Sequence, residues 1–133
     1  MALTTRYAEV EPSRGEISAI EGALVVEFGA PWCGHCLAAQ ALLESAFSAY
    51  PGTRHLKVED GPGRKLGRSF AVRLWPTLIF LRHGQEVARL VRPSDAGMIE
   101  QALAALDLGS VNPDGHDAVQ VGSAVTPTNG AGP

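Results

Sequence analysis

The sequence predicts one α/β domain, a central mixed β-sheet flanked by helices in the order β-α-β-α-β-α-β-β-α. Three observations carry this prediction. The apolar runs at residues 23–28 and 77–81 are too short for helices and rich in β-branched or aromatic residues, as buried strands are. A long stretch of helical period follows the first run and leads to another strand candidate, which requires a right-handed crossover between parallel strands. Two later runs meet at His83-Gly84 and read as a hairpin, so parallel and antiparallel pairs share one sheet.

Taken in order, residues 7–10 alternate weakly and suit an edge strand that ends at Pro12, since proline cannot donate to a ladder. Ser13 and Glu16 have capping-box spacing, Ile17 and Ile20 lie one helical step apart, and Gly22 is a natural stop, so a helix is expected between them. The strand at 23–28 follows. Beyond Pro31-Trp32, residues Cys36, Ala39, Leu43, Ala46, Phe47 and Tyr50 share one helical face, and Pro51-Gly52 ends it. Residues 53–58 return as a strand. Gly61-Pro62-Gly63 is a turn, residues 64–71 form a short basic helix, and 77–81 with 86–91 form the hairpin. Ile99, Ala102, Leu103 and Leu106 give a last amphipathic helix entered after Pro93-Ser94-Asp95.

The domain is expected to occupy residues 1–106. Residues 107–133 are rich in Gly, Pro and small residues with no periodic apolar face, so they are expected to form a flexible tail. The 133 residues suit one core, and 45% hydrophobic with 19% charged residues is an ordinary globular balance. A net charge of −3 without any Lys/Arg run argues against nucleic acid as a partner. No apolar stretch approaches the ~20 residues that cross a bilayer, so no membrane partner is expected. The opening residues lack the long apolar stretch of a secretory signal, which makes a cytoplasmic monomer the expectation.

Only two cysteines occur, both inside Cys33-Gly34-His35-Cys36. A disulfide scaffold would scatter its cysteines to close long loops, whereas this pair closes one too tight to constrain much chain. At a strand-to-helix junction, unpaired backbone N–H groups and the helix dipole favour a thiolate at Cys33, the nucleophile, with Cys36 one turn inward to resolve the mixed disulfide. The same steps reversed oxidise a dithiol. An imidazolium at His35 would add positive potential and make the disulfide more oxidising, the simpler reading being an exposed turn residue. Metal binding is disfavoured, because no second Cys pair exists and His55, His83 and His116 lack ligand spacing. No cofactor is expected beyond the redox-active pair itself.

The segment Val26-Glu27-Phe28-Gly29-Ala30-Pro31-Trp32-Cys33-Gly34-His35-Cys36 resembles the active-site segment of the thioredoxin superfamily, and its Gly-His spacer and glutamate are most similar to protein disulfide isomerase catalytic domains. The resemblance extends through Trp75-Pro76-Thr77 to the last helix, from about Tyr7 to Leu106. It implies the thioredoxin fold and thiol-disulfide exchange with protein thiols and disulfides, served by a reducing or oxidising redox partner. It further implies that Pro76 is the cis-proline facing the cysteines, with the Trp75 backbone free to pair with an extended substrate. Glu27 would be the buried carboxylate that takes the Cys36 proton, Lys57 would pair with Glu27, and Trp32 would shield Cys33, with Gly34 beside it on the substrate surface. Arg92 departs from the family's glycine at or next to this position. Its readings are selection of acidic substrates, a charge that swings toward Cys36, or a solvent-facing side chain. Gly29 replaces a large aromatic, and Trp75 a smaller aliphatic residue. The alternative function is a binding or chaperone-like module that keeps the fold without redox turnover.

Overall fold

Strand β1 (Ala23–Gly29) is the axis of the molecule, a computed structural model that describes residues 3–107. Six of its seven residues are buried, as expected of an apolar run covered on both faces. Around it lie α1 (Arg14–Ser18), α2 (Gly34–Phe47), β2 (Arg54–Glu59), α3 (Leu66–Ser69), β3 (Thr77–Arg82), β4 (Gln85–Val91) and α4 (Ala96–Asp107). The sheet order is β2-β1-β3-β4. β1 pairs parallel with β2 and antiparallel with β3, and β3 pairs antiparallel with β4, so the mixed sheet stands as expected.

The side-chain period of two divides the strands between two layers. Val25, Leu78, Phe80 and Leu90 face α2 and α4, packing with Leu43, Phe47, Ile99 and Leu103. Leu24, Val26, Phe28, Ile79 and Leu81 face the other way, against Ile17 of α1 and Leu66 and Phe70 beside α3. Burying each such side chain contributes about 1.5–3 kcal/mol.

Local chemistry sets the ends of the elements. The Ser13 hydroxyl accepts the Glu16 N–H at 3.0 Å while Glu16 Oε1 accepts the Ser13 N–H at 2.8 Å, the expected capping box. The hairpin turns on His83 and Gly84, both at positive φ (50° and 80°), as a tight turn matched to strand twist requires. A Cβ on Gly84 would collide with the Ser18 carbonyl, so glycine is needed there for space as well. Between Phe80 and Leu81 the β3–β4 register shifts, a bulge in the outer pair.

Three expectations need correction. Residues 7–10 form no strand, so the sheet has four strands. The segment touches β2 through one backbone bond, Ala8 N–H to the Lys57 carbonyl at 2.8 Å. Pro12 and the exposed Glu9 and Val10 leave too few donors and too little burial to extend that pairing. The short basic helix shrinks to four residues. It lacks a side-chain cap of its own and starts where the Glu11 carboxylate accepts the N–H groups of Lys65 (3.3 Å) and Leu66 (2.9 Å). Finally, α4 runs through Asp107, and the tail expected from there lies, from residue 108 on, outside the described residues.

Candidate active site

Cys33 caps α2. Its backbone is extended (φ −84°, ψ 117°), and its Sγ accepts the Cys36 N–H at 3.2 Å. First-turn N–H groups have no acceptor within the helix, and the Cys33 sulfur accepts one of them. Both thiols are free and buried, Cys33 at 5% and Cys36 at 2% exposure.

Cys36 sits on the inward face of α2, directly over the end of β1. A Cβ on Gly29 would lie 2.5 Å from Cys36 Sγ and 3.1 Å from the Tyr7 hydroxyl, so the missing side chain at Gly29 makes the space in which these two groups converge. Burial pushes the Cys36 thiol up to about 12, assisted by its hydrogen bond with the Cys33 side chain and by the Cys33 and Glu27 charges, against a lowering contact from the Ala30 backbone. The same desolvation holds the Tyr7 hydroxyl above the ordinary phenol range, with the Cys36, Glu27 and Cys33 charges adding to it.

Glu27 is fully buried, and by strand parity it faces α2 along with Val25. Its Oε1 lies 2.8 Å from His55 Nε2. Because His55 Nδ1 accepts the Thr4 N–H at 3.0 Å, the ring proton sits on Nε2 and is donated to Glu27. Oε2 is buried and has no hydrogen-bond partner among the described residues. Lys57 is the register partner of Glu27 but not its ion partner, contrary to expectation. Its Nζ is instead held between α2 and the N-terminal segment that lies along β2. There Nζ donates to Gln40 Oε1 (3.0 Å) and the Thr5 carbonyl (3.4 Å) and lies 4.7 Å from the Tyr7 ring centroid. The shorter, planar His55, stacked edge-on against Phe47, stays beneath the helix and reaches Glu27 instead.

Apolar cover over the cysteines comes from Ala30 and Trp75. Trp32, expected to shield Cys33, is 73% exposed and meets Trp75 edge-on at 5.3 Å. Trp75 is held by its indole N–H, which donates to Asp60 Oδ2 at 2.9 Å, and Asp60 is in turn fixed by its own N–H on the Gly29 carbonyl at 2.8 Å. The Trp75–Pro76 peptide is cis, and Pro76 is buried. The Trp75 carbonyl is not free as expected: Arg92 Nε donates to it at 2.8 Å. This contact holds Arg92 on the cis segment, and no hydrogen bond or ion pair to either cysteine is present. Gly34 and His35 are exposed on the first turn of α2, with open space where a Gly34 Cβ would stand.

Sequence reasoning missed His55, Tyr7, Gln40 and Asp60. His55 had a signal, since it lies two residues from Lys57 on one strand and therefore shares a face with it. Tyr7 had none, because the segment carrying it forms no regular element. Among the described residues no group of three or more His, Cys, Asp or Glu side chains is arranged to hold a metal ion.

A family model described as Thioredoxin matches residues 9–105. The structure of thioredoxin 2 from Pseudomonas aeruginosa PAO1 in its reduced form is similar at TM-score 0.73 and 56% identity, covering 81% of this chain and 100% of that one. Thioredoxin-1 of Saccharomyces cerevisiae is 33% identical over 82 residues, 62% of this chain and 79% of the relative. Protein disulfide-isomerase A2 of Homo sapiens is 44% identical over 66 residues, 47% of this chain but 13% of that much longer protein. Another curated relative is matched over 55% of its length.

Proposed function

This chain belongs to the thioredoxin family, and from that premise we propose that it is a thiol-disulfide oxidoreductase acting on protein substrates through Cys33 and Cys36. The observation that carries the proposal is the unequal setting of the two sulfurs. One caps a helix and accepts an N–H, while the other is a buried thiol over the end of β1, pushed up to about 12 by burial, and β1 also carries Glu27, whose Oε2 has no partner among the described residues.

The chemistry follows from that inequality. The Cys33 thiolate attacks one sulfur of a substrate disulfide, the substrate S–S bond breaks, and the departing thiolate takes a proton from solvent. Cys36 then loses its proton to Glu27 Oε2 and attacks Cys33 Sγ, which forms the Cys33–Cys36 disulfide and releases the second substrate sulfur as a thiolate that is protonated from solvent, while Glu27 returns its proton to solvent. Two electrons pass from the protein dithiol to the substrate. A redox partner that carries a dithiol reverses the change in the protein, and the reverse sequence oxidises a substrate dithiol. His55 acts as a positioning residue that holds Glu27 through Oε1. An imidazolium at His35, close to the helix start, would favour the thiolate form of Cys33.

Protein substrates fit the rim. Trp32, Leu37, Leu74 and Val91 are large, apolar and exposed, and each is a chain neighbour of a site residue: Cys33, Cys36, Trp75 and Arg92. Exposed apolar side chains gathered at one place mark a contact surface. No helix among the described residues is long and apolar enough to cross a membrane.

The test is reduction of insulin by the dithiol form. Cys33→Ser is expected to abolish turnover, and Cys36→Ser to accumulate a mixed disulfide with substrate that the intact protein does not retain. Full biological activity in a Cys33→Ser, Cys36→Ser double variant would replace this reading with that of a binding module.

A further inference from the structure

Arg92 follows β4 in the left-handed region, at φ 51°, a conformation that costs a residue with a Cβ free energy and persists where neighbours fix it. Two bonds do so here. Its backbone N–H donates to the Pro76 carbonyl at 2.9 Å, and Nε donates to the Trp75 carbonyl at 2.8 Å. The two terminal amino groups of the same guanidinium make no hydrogen bond or ion pair within the described residues. One edge of a rigid fork is thus fastened, and the other is offered to whatever enters the site.

A groove of about 350 Å³ runs along this side, lined by Arg92, His35, Leu42, Pro76 and Pro93 among others. Its floor is apolar. Among the described residues its only ionisable lining side chains, Arg92 and His35, are both basic, although the chain as a whole carries −3. The groove therefore complements a chain segment that is apolar in part and acidic at one point.

We propose that Arg92 selects substrates bearing an Asp or Glu side chain next to the cysteine that reacts with Cys33, the free edge of its guanidinium receiving the carboxylate. This rests on the exchange reaction proposed above and names the substrate class for it. Arginine suits the task because the planar fork can donate to both oxygens of a carboxylate. The anchored Nε lowers the side-chain entropy that an exposed ion pair ordinarily loses, and this loss is why most such pairs contribute little. The cationic rim would also speed encounter with acidic chains at low salt.

The experiment uses three disulfide-linked peptides that differ only in the residue after the reactive cysteine: Glu, Gln or Lys. Steady-state kcat/KM is measured with the full chain, at low salt and at high salt. The expected order is Glu over Gln over Lys, spanning about tenfold from end to end, carried in KM and reduced at high salt. In Arg92→Gln the Glu peptide is expected to fall to the level of the Gln peptide. In Arg92→Lys the order is expected to persist over a narrower span, because charge remains and the fork is lost. Equal rates for the three peptides with the intact protein, or an unchanged order in Arg92→Gln, would overturn the proposal while leaving the exchange reaction in place. Failure to reduce any of the peptides would remove the exchange reading, and this proposal with it.

Discussion

Both faces of the sheet are built from the same strands and are equally dry, but they are put to different uses. Toward α1 and α3 the strands present Leu24, Val26, Phe28, Ile79 and Leu81 to Ile17, Leu66 and Phe70. Toward α2 they present Val25 and Phe80 and, in the same rows, three buried ionisable strand side chains, Glu27, His55 and Lys57. A buried charge needs partners. Lys57 has Gln40 and the Thr5 carbonyl and His55 has Thr4 and Glu27, while Glu27 Oε2 and the Gln40 amide nitrogen are buried without a partner among the described residues. One face therefore stabilises, and the other holds a proton acceptor in place at some cost in stability.

The sharpest way to break this contrast is to damage each face in turn. Phe28→Ala, on the apolar face, is expected to cost about 3–5 kcal/mol in denaturant unfolding through a cavity between the strand and Phe70. The surviving folded fraction should keep the reactivity of Cys33. Glu27→Gln should do the opposite, changing stability far less while slowing the resolving step by about 10²-fold or more, read as lifetime of the mixed disulfide in single-turnover mixing. A Gln variant that resolves as fast as the intact protein would show that Glu27 is only a structural residue.

The two basic neighbours separate by a smaller margin. His55→Leu leaves Glu27 Oε1 without its donor and should cost about 1–3 kcal/mol together with part of the resolving rate. Lys57→Met, whose partner is Gln40 and not the carboxylate, should cost about 1 kcal/mol at most and leave the pH profile of resolution in place. If Lys57→Met altered that profile as strongly as His55→Leu, the assignment of His55 as the partner of Glu27 would be wrong.

The smallest effect concerns pH. The Cys36 thiol has its ordinary value of 9.0 when unfolded and is held up at about 12 when folded, so its neutral form stabilises the fold fully below pH ~9. That contribution is lost as pH rises toward 12, and Tyr7, raised in the same sense, adds to the loss. The urea midpoint of the reduced protein should fall between pH 8 and 10.5, and fall less in Cys36→Ala.

How much of this could be read beforehand depended on how local the cause was. The capping box, the His83-Gly84 turn and the cap at Cys33 each follow from residues a few positions apart and stand where the spacing placed them, whereas α2 ends at Phe47, short of Tyr50 and of the stop expected at Pro51-Gly52. What failed needed distances between elements. Residues 7–10 alternate like a strand, but they meet an edge to which one bond alone ties them. Strand register points to Lys57 as the partner of Glu27, whereas Lys57 meets Gln40 and the Thr5 carbonyl and His55 meets the carboxylate. Trp75 took a place expected of Trp32 because Asp60 holds its indole, a contact across fifteen residues that no spacing rule contains.

The outer strand of the hairpin has a consequence for how the molecule meets its own copies. β4 is the end of the sheet, where unpaired backbone groups invite a strand from another molecule and, eventually, aggregates. The register shift between Phe80 and Leu81 kinks that border, and the Glu86–Arg89 pair at 2.7 Å studs it with charge. A foreign strand finds no straight, uncharged ladder to extend, so a concentrated solution of this protein should resist fibril formation for as long as the bulge is kept.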